Sequence, residues 1–220
     1  MLKKIINIIY LNFKGYSLLR AYQIYYSSRL RISGKSIEFG SFKDRKKNFS
    51  NFFKGDSKFF YSNIFKDKNK NYIKLDLTKK ISLKKSTFNN IIIFNFLENL
   101  KDTNMAINEL QKILKKNGTL IGSTPFIYQI HGAPNDYYRF TKDFFLEKFK
   151  KKFKNFKIIH LGYGPFIASF SLIYPYIKYV PIFKELILAI SFFIDAFIQL
   201  FVKTKLNEIY PIGFIFILKK

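Results

Sequence analysis

Hydrophobic positions fall along the chain in short runs separated by polar turns, with helical spacing between many of the runs. Ser36–Phe39, Lys58–Tyr61, Tyr72–Leu75, Phe88–Phe94, Thr119–Ser123, Lys157–Leu161 and Ile212–Leu218 read as strands. Ile91–Ile93 is a β-branched run suited to burial on both faces of a sheet. Residues 103–116 form the clearest helix, because Ala106, Leu110, Ile113 and Leu114 share one face. Asp102 stands where an N-cap belongs, and Gly118 where a left-handed residue would close the helix. Thr141–Lys152 reads as a basic helix, and residues 1–30 as one or two helices ending at Gly34. Strands and helices alternate, which argues for an α/β fold with a mainly parallel sheet of seven short strands.

Residues 165–203 interrupt this pattern. They are nearly continuous hydrophobe with prolines at 175 and 181. Within Leu186–Val202, Ser191, Asp195 and Gln199 recur every fourth residue, and Lys203 continues the row. On a helix these make one polar stripe on a broad apolar surface. Three placements compete. The helix lies in a membrane interface, packs against the domain or a partner, or spans a bilayer. The stretch is at the short limit for spanning, and a central Asp makes that placement costly, by about 3 kcal/mol. Residues 1–13 carry two lysines and an apolar run broken by Asn7, without a small-residue cleavage site, so they read as a basic amphipathic helix.

Composition removes whole classes of chemistry. With no Cys there are no disulfides, thiolate metal sites or Cys nucleophile, and two His cannot build a His-rich metal cage. No metal site is expected. The net charge of +25 invites a polyanion- or nucleic-acid-binding reading. Against it, only Arg20, Arg29, Arg31, Arg45 and Arg139 are arginines, whereas nucleic-acid sites favour Arg for bidentate contacts. A Lys-drifted surface, in a chain rich in residues with AT-rich codons, explains most of the charge.

Few residues carry candidate chemistry. Ile37-Glu38-Phe39-Gly40-Ser41 is a strand followed by a glycine, which lets backbone approach a nucleotide-like ligand. Asp76, at the end of Tyr72–Leu77, can accept hydrogen bonds from a ribose or an adenine amine, or can be a solvated loop acid. His131 is either a loop residue or, with Asp136, Tyr138 and Arg139 close by, a general base for an acceptor hydroxyl. Arg139 either holds an anionic group or pairs with Asp136 to shape the loop. His160, in a strand, reads as structural.

The block from Phe88 to Arg139 has a distinctive order. It runs FNNIIIFNFLENL, a helix, ILKKNGTLIGSTPF, then IHGAPNDYYRFT. This resembles class I S-adenosylmethionine-dependent methyltransferases, and within them the branch of surface-polysaccharide and glycan biosynthesis clusters. The resemblance covers roughly residues 36–160. It implies a Rossmann-like methyltransferase sandwich over 35–164 and 204–220. An N-terminal helical extension (1–34) and an apolar helical insertion (165–203) before the last strand would flank it.

The resemblance also implies roles. Gly40 is the first glycine of the cofactor loop, with Glu38 before it and Ser41 after it. Asp76 and Leu77 hold the adenine edge of S-adenosylmethionine, and Asn95 and Phe96 line its methionine end. His131, Asp136, Tyr138 and Arg139 face the acceptor. The chain departs from the pattern in lacking the second and third loop glycines, with Phe42 in the loop. Asn89, Asn99 and Asn117-Gly118-Thr119 replace the usual Asp, His and Pro-Gly-Gly. The ribose carboxylate has no evident counterpart, Asn63 lying near its place. The implied reaction is methyl transfer to a hydroxyl of a glycan or lipid-linked saccharide. The expected location is cytoplasmic, at the inner membrane face, with peripheral contact through 165–203. The alternatives are an inactive methyltransferase-like scaffold and a polyanion- or nucleic-acid-binding protein.

Overall fold

A computed structural model of the chain describes residues 2–42, 44–65, 67–132 and 135–220. Its helices are α1 (Leu2–Phe13), α2 (Leu18–Ser27), α3 (Thr103–Ile113), α4 (Lys142–Lys150), α5 (Pro165–Ile177), α6 (Pro181–Gln199) and α7 (Leu206–Ile209). Its strands are β1 (Gly34–Phe39), β2 (Ser57–Asn63), β3 (Tyr72–Lys74), β4 (Phe88–Phe94), β5 (Leu114–Pro125), β6 (Asn155–Leu161) and β7 (Gly213–Lys219). Two compact units result. A sheet unit takes in 27–124, 131–158 and 215–220, and a helical unit takes in 1–26, 125–130 and 159–214.

The seven strands form one sheet in the order β3-β2-β1-β4-β5-β7-β6. β1 runs parallel to both β2 and β4, β2 to β3, and β4 to β5. Asn117, early in β5, bonds to Lys220 beyond the end of β7, while Phe126 beyond β5 bonds to Ile212 before β7 begins. The two strands are therefore antiparallel. The sheet is mainly parallel, as the alternation of elements predicts, and has the Rossmann-like methyltransferase arrangement that the resemblance implies.

Burial follows the pattern. Ile91, Ile92 and Ile93 in β4 are all fully buried, as a central strand covered on both faces requires. Ala106, Ile107, Leu110 and Ile113 form the buried stripe of α3, and the Asp102 carboxylate accepts the Met105 amide at 2.9 Å as its N-cap. Phe145 and Phe149 of α4 pack at a tilt on Phe216 of β7, with centroids 5.2 Å apart in both pairs. Gly122 makes room for that ring, since a Cβ there would lie 2.2 Å from it.

Two local expectations are corrected. The helix stops at Ile113 rather than 116, and Gly118 does not close it. Instead β5 begins at Leu114, and the left-handed residue is Asn117 at φ 62°. The cause is sheet pairing. β5 advances from Leu114 to Thr119 while β4 advances only from Phe88 to Asn90, so the extra residues bulge out of the ladder. Gly34, read as the end of the helical region, opens β1.

In the helical unit, α1 and α5 pack on α6. The polar row points inward at Ser191 and Asp195, is half-buried at Gln199, and emerges at Lys203 beyond the helix end. Ser191 and Asp195 are buried, and the Asp195 carboxylate accepts the Phe166 and Ile167 amides at 3.0 and 2.9 Å, capping the start of α5. Gly164 permits this approach, because a Cβ there would lie 2.6 Å from the Asp195 carboxyl carbon. Lys184 is buried too, donating to the Asn12 carbonyl at 3.0 Å and pairing with Glu185 at 2.8 Å. Among the described residues, no helix is long and apolar enough to cross a membrane.

Candidate active site

Ligands of open α/β sheets collect beyond the carboxyl ends of the strands, at the point where strand order reverses. Here that point lies between β1 and β4, where Phe39 pairs with Ile93. Gly40 leaves β1 at φ 69°, a conformation natural to glycine. Asn95 leaves β4 at φ 51°, with its amide bonded to the Ser123 carbonyl at 2.7 Å. The Phe96 ring packs on Gly40 so closely that a Cβ there would lie 2.7 Å from it. The crevice thus brings together Gly40, assigned to the cofactor loop, and Phe96, assigned to the methionine end of the cofactor.

A cavity of about 250 Å³ opens beside this crevice. Gly40, Ser41 and Phe42 form one wall, and Asn63, Phe65, Asp67 and Tyr72 the other. Ser41 is tied to the Ser62 carbonyl through its amide at 3.1 Å and its hydroxyl at 3.3 Å. Asn63 closes the loop by donating to the Ser41 carbonyl at 3.0 Å. Asp67 is the acid that sequence reading did not place. It belongs by composition to a turn, and β2–β3 pairing brings it to this wall. Its carboxylate lies 3.7 Å from Arg45, whose guanidinium sits over the Tyr61 ring at 4.6 Å. Tyr72 donates to the Phe65 carbonyl at 2.7 Å, and burial raises its hydroxyl above the usual tyrosine range.

The other assigned residues do not line the cavity. The Glu38 carboxylate is buried and accepts the Phe49 and Ser50 amides at 2.8 and 2.9 Å. It shapes the segment after the glycine loop. Asp76 is engaged with Thr78 at 2.6 and 2.9 Å, and the hydroxyl bond holds its carboxyl below the usual range. Leu77 is buried in the core. Asn89, in place of an Asp, sits at the amino end of β4 and accepts from Lys35 and Lys115, each at 3.1 Å. It has no part in the crevice.

The 131–141 loop is held by its own charges. Asp136 accepts the His131 backbone amide at 2.9 Å and pairs with both terminal nitrogens of Arg139, one of them at 2.7 Å. Hydrogen bonding from Arg139 holds the Asp136 carboxyl below its usual range. The structure thus matches the loop-shaping reading of the Asp136–Arg139 pair. Pro134 of the motif lies outside the described residues. Tyr138 donates to the Lys101 carbonyl at 2.9 Å, and the Tyr137 amide to the Glu98 carbonyl at 2.8 Å. His131 is exposed at the head of this loop.

Glu98 was passed over in the sequence as part of a Leu-Glu pair. It lies in the turn after β4, is almost fully buried, and one carboxylate oxygen has no hydrogen-bond partner. Burial pushes its carboxyl up to about 8, with the Asp136 charge adding to the rise. Among the described residues no acidic or imidazole cluster could hold a metal ion.

Residues 55–122 match the family model for the methyltransferase domain. An S-adenosylmethionine-dependent methyltransferase from Archaeoglobus fulgidus superposes with TM-score 0.55 at 15% identity, over 96% of this chain and 94% of that one. A possible histamine N-methyltransferase from Thermotoga maritima gives 0.54 at 13% identity, over 90% and 88%. Phosphoethanolamine N-methyltransferase 2 from Haemonchus contortus, in complex with S-adenosyl-L-methionine, gives 0.53 at 13% identity over 87% of this chain and 49% of that one. At such identities the superpositions speak for the fold. No curated protein matches the sequence. The match over residues 55–122 is to a methyltransferase domain, and the fold around it is the Rossmann-like methyltransferase fold.

Proposed function

We propose that the chain transfers a methyl group from S-adenosylmethionine to a hydroxyl of a glycan or lipid-linked saccharide. The observation that carries this reading is the cavity joining Gly40, Asn63, Asp67 and Tyr72 at the carboxyl end of the sheet. Its donor set suits an adenosine. Asp67 can accept from ribose hydroxyls, Asn63 holds the glycine loop in place, and Phe65 and Tyr72 offer aromatic faces to a base. When bound, the cofactor supplies a methyl group on a sulfonium, an activated donor that needs no further activation by the protein.

The chain's own task is then to place an acceptor and remove its proton. His131 is our candidate base, because it is the imidazole on the loop following the fifth strand. Asp136 and Arg139 act on it indirectly, by pinning the backbone that presents it. Glu98, beneath the same loop, stays protonated at neutral pH and keeps a second negative charge away from Asp136. The saccharide acceptor is supported by the His131-to-Thr141 run and its resemblance to the glycan-cluster branch.

Calorimetry with S-adenosylhomocysteine tests the cofactor side. Micromolar binding, weakened by Asp67→Asn, is expected, and absence of binding at millimolar ligand would overturn the assignment. Transfer of a labelled methyl group to purified lipid-linked saccharide, tested beside protein and RNA acceptors, checks the acceptor. Labelling confined to RNA or protein would refute the saccharide reading.

A further inference from the structure

On α6 a buried face that includes Leu188 and Phe192 also takes in polar groups, and a second row of hydrophobes faces outward. The inner face of α6 carries Lys184, Ser191 and Asp195, all buried. Its outer face carries Ile182, Leu186, Ile190, Phe193 and Phe197, all exposed and spaced three or four residues apart. Ile182 is 86% exposed and Phe193 73%. Leu200 and Phe201 extend the row past the helix end at 78% and 74%. The same holds for α5 at Ile173 and Tyr176, and for α1 at Leu2, Ile6 and Phe13. Single exposed hydrophobes are ordinary, but rows of them on three helices mark a surface that something covers.

We infer that the outward faces of α1, α5 and α6 seat this unit on an anionic lipid surface, lying in the interface without crossing it. Charge selects this occupant. Lys3, Lys14, Lys178, Lys203 and Lys205 are exposed in this unit, against one exposed acid, Glu208, among the described residues; Asp195 is buried and Glu185 is paired with Lys184. An apolar surface rimmed by lysine is what anionic headgroups attract, while protein interfaces are depleted in lysine. Tyr176 and Tyr179 are highly exposed, and an amphipathic phenol suits the headgroup level. Spanning is ruled out by the inner face, which would carry Lys184 and Asp195 into hydrocarbon. The inference does not depend on the acceptor of the methyl group.

The chain contains no Trp, so one introduced Trp reports its own surroundings. Phe193→Trp, on the outer face of α6, is compared with Lys150→Trp on α4. Each is mixed with vesicles of phosphatidylcholine alone or with phosphatidylglycerol added. The expected result is a blue shift and quenching by brominated lipid for Phe193→Trp only, and only with phosphatidylglycerol present. In co-sedimentation, the double variant Phe193→Glu with Phe197→Glu should bind at least about tenfold more weakly. Each of Lys178→Gln, Lys203→Gln and Lys205→Gln should weaken binding by up to about fivefold. Circular dichroism checks that the double variant is folded. If it is not, the single-Trp reporters in the otherwise unchanged chain decide. Absence of binding to either vesicle would overturn the inference. So would an indole in the Phe193→Trp variant that is already buried without lipid, in a dimer that vesicles do not dissociate.

Discussion

Asp195 in the helical unit and Glu98 in the sheet unit are both buried carboxyls, and their surroundings are opposite. Each oxygen of Asp195 meets a backbone amide, at 3.0 and 2.9 Å, so burial raises its carboxyl while the two donors pull it back. Glu98 has an oxygen without a partner and is pushed up to about 8. The difference extends to the surfaces. The helical unit buries Lys184, Ser191 and Asp195 among its core hydrophobes and leaves further rows of hydrophobes facing outward. The sheet unit buries its hydrophobes and gathers polar loops at the carboxyl ends of its strands. A buried acid with its donors in place is a structural cap whose rise the donors hold in check, whereas one short of donors carries the larger dependence of stability on pH.

Four changes test this contrast. His131→Ala should cost the most, about 100-fold or more in turnover, with the melting temperature unchanged because the side chain is exposed. Steady-state rates beside a thermal melt check it. A large drop in stability would make the loop as structural as Asp195.

Glu98→Gln comes next. The folded chain keeps Glu98 protonated up to about pH 8, whereas an unfolded chain releases the proton near 4.5. The folded state therefore binds the extra proton between those values, and stability falls as pH rises from about 4.5 to about 8. The glutamine variant should lose that slope and gain on the order of a few kcal/mol over wild type at alkaline pH. Urea denaturation across the range reads this out, and parallel curves for the two chains would contradict the assignment.

Asp195→Ala should lower stability by about 2 kcal/mol, because two amides at the start of α5 lose their acceptor. Unlike Glu98→Gln it should destabilise at neutral and alkaline pH alike. A stabilising effect would dissolve the comparison. The smallest effect is on ligand affinity. Asp67→Asn should weaken S-adenosylhomocysteine by roughly tenfold, about 1.4 kcal/mol, without moving the melting temperature of the unliganded chain.

Much of the sheet was readable because its signals are local. The Ile91–Ile93 run, the spacing of Ala106, Leu110 and Ile113, and the Asp102 cap depend on neighbours within a turn or a strand. The end of α3 was not readable, because the bulge at 115–118 exists only where β5 pairs with β4. Gly40 announced itself by following a strand. Asp67 did not, since in sequence it is one polar residue of a turn, and only strand pairing carries it to the glycine loop. Glu98 was visible as a letter of a motif, but its proton affinity comes from burial, which a motif does not express.

The sequence by itself determined the order of strands and helices, the absence of thiol and His-cage chemistry, and the fact that Ser191, Asp195 and Gln199 share a face of α6. Periodicity and composition are properties of the chain alone. Only the tertiary structure decided which way that face points. A helical repeat places residues relative to one another, whereas the inward side is chosen by what packs there. Here that is the buried start of α5, whose amides need an acceptor. Asp195 supplies it, and the hydrophobes on the far side of the helix are left facing outward.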